Sequence, residues 1–173
     1  GTGFPNAGMH RQSEMVFDYI NQHPQFLTPE THFRQGVLLM RMGQHTKAKE
    51  ILELALAEQK RLEQKRPEGP VPYRVSGQVL TLLGRQQEAK AAFLEAIEKD
   101  RALFERASDA GAEARIRWSL TKTLIASGDY EAASQQLSRA RALASPRIRY
   151  STDRWMQRNL SKEDLEKLRS FLN

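Results

Sequence analysis

One spacing, written three times, constrains this chain more than any other feature. Gly43, Ala48, Leu52 and Ala55 recur as Gly84, Ala89, Phe93 and Ala96, and again as Gly128, Ala133, Leu137 and Ala140. The glycines are separated by 41 residues (43 to 84) and 44 residues (84 to 128), inside the period of about 20 to 50 residues that marks stacked repeats. The agreement extends upstream: Gly36, Gly77 and Thr121 lie seven residues before each glycine, and Leu39, Leu80 and Leu124 lie four before it. Apolar residues at steps of three and four follow the helical period, so each copy reads as helix, turn, helix.

The small residues carry the physical argument. Packed helix axes come within about 8–10 Å, a distance that bulky side chains at the contact would prevent. Gly36 with Ala48, and Gly77 with Ala89, are expected to let the two helices of a hairpin approach. Ala55, Ala96 and Ala140 are expected to do the same against the next hairpin, with Leu52, Phe93 and Leu137 filling the gaps. A lone hairpin leaves one apolar face bare, so the copies must stack. The expected fold is all-α: a superhelical solenoid of three hairpins with flanking N- and C-terminal helices.

Local signals set the boundaries. A first helix is expected from Met9 to Gln22, with Met15, Val16, Tyr19 and Ile20 buried, stopped at His23-Pro24 because the residue before proline avoids helical geometry. Thr28-Pro29-Glu30 combines a hydroxyl cap, a proline at the first helical position and an acid at the positive helix end. The hairpins are expected at 29–66, 70–107 and 112–144, with Pro67, Pro70 and Pro72 in the first joint and Asp109-Ala110-Gly111 as the second break. Ser145-Pro146 opens a segment holding Trp155, and Ser161-Lys162-Glu163-Asp164 starts a last amphipathic helix through Leu165, Leu168, Phe171 and Leu172. These C-terminal helices, 146–173, cap the stack. Residues 1–8 read as a tag or flexible leader, and 9–173 as one helical domain.

With these positions in place, the chain resembles the tetratricopeptide repeat family. The matching residues are Gly36, Leu39, Gly43, Ala48, Leu52 and Ala55; Tyr73, Gly77, Leu80, Gly84, Ala89, Phe93 and Ala96; and Leu120, Leu124, Gly128, Tyr130, Ala133, Leu137 and Ala140. The resemblance covers roughly 29–144. The usual repeat is shorter by 7 to 10 residues, which longer second helices and joints would absorb, and its common closing proline is replaced by Lys60 and Arg101. The family's role implies a non-enzymatic scaffold for protein–protein interaction, the sensory, docking or assembly module of a larger protein.

Little in the sequence suggests catalysis. His10, His23, His32 and His45 show no metal-ligand spacing, and His45 fills a turn position where packing is expected. Gly69, Gly84 and Gly111 stand alone and form no phosphate loop. No Ser-His-Asp set or carboxylate pair follows from spacing, so the expectation is no catalytic residue, no metal and no cofactor. Glu58, Lys60, Arg61, Glu63, Lys65 and Arg66 read as a solvated charged face. Cysteine is absent, which removes disulfides and thiolate chemistry. The compartment stays open, with the cytoplasm favoured over the periplasm. No run of about 18 apolar residues offers a membrane span.

Binding is where the charges gain meaning. The resemblance implies a concave groove lined by the first helix of each pair: Phe33, Arg34, Val37, Met40 and Arg41; then Arg74, Gln78, Thr81 and Leu82; then Arg115, Trp118, Lys122 and Ile125. This basic, partly aromatic lining suits an acidic peptide or helix. Phe33 and Val37 replace the Lys and Asn that chaperone-tail binders use, so that ligand is not expected. Net charge is +6, and the window from Arg139 to Arg158 holds six arginines (139, 141, 147, 149, 154, 158) against Asp153 alone. Arg147, Arg149, Arg154 and Arg158 with Tyr150 and Trp155 could hold an anionic partner. Nucleic acid, an acidic protein surface and a solvated capping face all fit, and a homo-oligomer through exposed helix faces is a further possibility.

Overall fold

The computed structural model describes residues 29–172, together with Met15. From Pro29 onward, eight helices follow one another among the described residues: α1 Pro29–Arg41, α2 His45–Lys65, α3 Val71–Leu82, α4 Gln86–Glu105, α5 Ala110–Ser127, α6 Tyr130–Leu143, α7 Pro146–Asn159 and α8 Lys162–Phe171. No strand occurs among the described residues. The hairpins are α1–α2, α3–α4 and α5–α6, each packed along its length, and α2 packs on α3 as α4 packs on α5. This is the expected all-α repeat stack.

The three turns are the same turn. Gly43, Gly84 and Gly128 take φ of 75°, 77° and 87°, the left-handed region that a Cβ makes costly. Each glycine N–H bonds a carbonyl three residues back, and the next N–H reaches five back: Gln44 to Leu39, Arg85 to Leu80 and Asp129 to Leu124, all at 2.9 Å. This closes the first helix and frees the chain to reverse. The spacing Leu39-Gly43, Leu80-Gly84, Leu124-Gly128 thus encodes backbone hydrogen bonding as well as packing.

Burial follows the repeated register. Ala48, Ala89 and Ala133 are 0%, 2% and 0% exposed, and Ala55, Ala96 and Ala140 are equally enclosed. The partner of the buried glycines differs from expectation. A Cβ on Gly36 would lie 2.4 Å from Leu52 Cδ2, and one on Gly77 2.5 Å from Phe93 Cε1. The glycine therefore receives the large residue of the facing helix, rather than meeting its alanine. In the third hairpin Thr121 holds this position, fully buried, with its hydroxyl donating to the Arg117 carbonyl at 2.8 Å.

Length explains the long period. α2 and α4 span 21 and 20 residues, against 14 for α6. The helix starts are capped as written for Ser145, whose Oγ accepts from Ile148 N, and for Ser161, which forms a reciprocal box with Asp164. Asp109 is itself the cap of α5, accepting from Ala112 N at 2.7 Å. The second break therefore falls before Asp109, and Gly111 lies inside the helix.

Several expectations need correction. Met15 is helical but 69% exposed; periodic spacing buries a residue only where a second element lies over it. Val16, Tyr19, Ile20, His10, His23 and Thr28 lie outside the described residues. His45 begins α2 and is exposed rather than packed into the hairpin. Glu58 and Glu63 are not solvated: Glu58 Oε1 lies 2.6 Å from His32 Nδ1 and Glu63 Oε1 accepts from Ser76 at 2.8 Å, each joining α2 to a neighbouring first helix. In α8 only Leu168 is buried, against Ile125 and Ala133, while Phe171 and Leu172 remain exposed. Tyr130 donates to Asp164 at 2.6 Å, fixing α8 to the start of α6.

Candidate partner-binding face

The first helices α1, α3 and α5 lie side by side, with α1 touching α3 and α3 touching α5. Their residues therefore form one continuous face. Phe33 and Met40 of α1 and Leu82 of α3 are half-buried and rest on the core built from Leu52, Val79 and Phe93. Val37 and Gln78 are half-buried as well. Arg34 is exposed and pairs with Glu30 one turn before it at 3.3 Å; Arg41 and Arg115 are exposed. Thr81 is exposed, with its hydroxyl donating to the Gly77 carbonyl. Ile125 is buried beside Ala133 and Leu168, so a partner could not reach it.

At the middle of the face lies a polar cluster that sequence reading did not assemble. Arg74 Nη1 donates to the Ser119 carbonyl at 3.3 Å and to Ser119 Oγ at 3.5 Å, and Ser119 Oγ donates to Asp100 Oδ2 at 3.1 Å. Asp100 is fully buried and its Oδ1 has no hydrogen-bond partner among the described residues. Burial pushes its carboxyl up to about 6, opposed by the Ser119 hydrogen bond and the nearby Arg74 and Lys122 charges. Burial also lowers Arg74, and pulls Lys122 down to about 8 with help from repulsion by Arg74. Neither cation has a carboxylate within ion-pair distance among the described residues. Asp100 and Glu30 act on both from further away, so the inner face is of mixed charge rather than uniformly basic.

Asp100 was findable. It continues the buried register of α4, four residues after Ala96, where an apolar residue would ordinarily stand. Gln59 occupies the same place in α2 and is also buried. A polar side chain in a core register signals an internal hydrogen bond, but its partner, Ser119 on the next hairpin, is visible only once the hairpins stack.

The structure also joins two groups that the sequence kept apart. Trp118 of α5 and Trp155 of α7 meet edge to face, their ring centres 5.3 Å apart at 87°. Lys122 Nζ sits over both rings at 5.5 and 5.7 Å, an arrangement that suits a cation. Trp155 thus closes the end of the face instead of belonging to an outward patch. The four arginines of α7 are exposed, and the helix is tied to α6 by polar contacts. Arg141 pairs with Asp153, and Arg149 Nε donates to the Arg141 carbonyl at 2.8 Å. Arg154 donates to the Tyr150 hydroxyl at 2.9 Å, while Arg147 and Arg158 have no partner among the described residues.

Stacked hairpins of this register, with first helices sharing a face, define a helical-repeat protein. Residues 29–60 and 75–102 match the family model of the tetratricopeptide repeat, so the first two hairpins are tetratricopeptide repeats. Those segments hold α1 with most of α2, and most of α3 and α4. No curated protein and no solved structure matches the chain. Repeats of this family generally mediate protein–protein interaction and typically lack catalytic activity. No helix among the described residues is long and apolar enough to cross a membrane.

Proposed function

We propose that the face formed by α1, α3 and α5 binds an acidic peptide or helix from another protein. The observation that carries this reading is the pair Arg74 and Lys122, half-buried cations with no carboxylate in ion-pair distance among the described residues. Burial disfavours a cation whose opposing charges, Asp100 and Glu30, lie only at a distance, and an incoming carboxylate would relieve it. Phe33, Val37, Met40 and Trp118 would supply apolar contact around that polar centre, with Arg34, Arg41, Gln78 and Arg115 at the rim. The rigid stack presents this lining preformed, so little ordering entropy is lost on docking.

Peptide display against the chain tests this. Selected sequences should be rich in Asp and Glu, and Arg74→Gln with Lys122→Met should weaken a selected peptide by tenfold or more, about 1.4 kcal/mol. Enriched peptides without acids would overturn the acidic preference alone. Failure to enrich any sequence would overturn the binding face itself.

A further inference from the structure

The outward side of α7 is a different surface with its own chemistry. Arg147, Tyr150, Arg154 and Arg158 fall at steps of three, four and four, so they share one face of the helix. At 1.5 Å per residue the stripe runs about 16 Å. All four are exposed, and Tyr150 is 64% exposed, an unusual display for a lone aromatic. Tyr150, Arg154 and Arg158 line an open hollow with Gln157 and Asp153. Asp153 is the only acid of the helix, and its pairing with Arg141 neutralises it. Among the described residues the stripe therefore presents three cations with no opposing charge.

We propose that this face binds single-stranded nucleic acid, with the arginines on successive phosphates and Tyr150 stacking on a base. Residue choice separates this from a merely soluble surface. The window 139–158 contains six arginines and no lysine, although nine lysines are spread over the rest of the chain. Arginine's planar fork suits phosphate and base edges, whereas a solvated face has no reason to prefer it. Composition separates it from an acidic protein partner. Protein interfaces of useful stability bury an apolar centre, and the exposed residues of α7 are Pro146, arginines, Tyr150, Ser151, Gln157 and Asn159. A polar, positively charged strip with one aromatic platform is the pattern of single-strand binding.

The test is fluorescence anisotropy with a labelled oligouridylate of about a dozen nucleotides, titrated at several salt concentrations. Three phosphate contacts predict that log K falls against log salt with a slope of about −2. Arg147→Gln, Arg154→Gln and Arg158→Gln should each flatten that slope by about 0.7, and together abolish binding. Tyr150→Ala should weaken binding at least fivefold with the slope unchanged, a split that loss of charge cannot produce. Unaltered helicity and melting of each variant establish that the fold is intact, as expected for exposed positions. No binding at low salt, or binding indifferent to the arginines, overturns the proposal. So does equal binding of polyglutamate, which would mark an acidic protein partner, or duplex binding that ignores Tyr150.

Discussion

Single atoms decide how close these helices come. Gly77 has Phe93 where its Cβ would be, so Gly77→Ala forces the ring against its neighbours at a cost of about 1–3 kcal/mol. Urea denaturation of Gly77→Ala, Phe93→Ala and the double variant should show strong coupling, because the methyl is harmless once the ring is gone. Equal costs in both backgrounds would mean that the glycine acts through backbone freedom alone. Asp100 offers a second test at this scale. Its folded carboxyl titrates near 6 against an ordinary 3.8. Between those values the folded state holds the proton longer, so stability present below about pH 4 is lost as pH rises through 6. The full shift corresponds to roughly 3 kcal/mol. Asp100→Asn should remove that fall from a melting-temperature profile while keeping an acceptor for Ser119. Lys122 has the opposite sign. Its folded amine releases its proton near 8 against 10.5, so stability rises with pH across that interval, and Lys122→Met should flatten the rise.

At the scale of helices, α7 and α8 hold to the stack in different ways. α8 is anchored by its capping box, by Tyr130 on Asp164 and by buried Leu168. Ser161→Ala should cost about 1 kcal/mol through the lost cap, and Leu168→Ala about 2–5 kcal/mol through the cavity. Hydrogen exchange should place the first loss within α8 and spread the second to α5 and α6. α7 buries only Thr152 and relies on Trp155. Trp155→Phe should therefore leave overall melting nearly unchanged while moving the emission of Trp118 to the red as its cover thins. An unmoved Trp118 spectrum would show that the ring contact does not shield it.

Across the whole molecule, stability builds hairpin by hairpin, because each pair contacts its neighbours and little beyond. Ending the chain at residue 144 would uncover Trp118, Ile125, Ala133 and their surroundings at once. That truncation should lower the melting temperature and promote self-association, measured by calorimetry and sedimentation; a stable monomer would show that α7 and α8 are dispensable covers.

The sequence alone determined the periodic elements. Left-handed glycines, capping hydroxyls and alanines at fixed steps act within one helix or one turn, so Gly43, Gly84, Gly128, Ser145 and Ser161 were legible from neighbours in the chain. Charge balance within the face was not, since the same arginine reads alike whether solvated, paired or buried. Only stacking decided that Glu58 meets His32, that Ser119 links Arg74 to Asp100, and that Trp155 covers Trp118. Those contacts join residues 19 to 45 positions apart. Their existence depends on the rotation and spacing of whole helices, which no local spacing specifies.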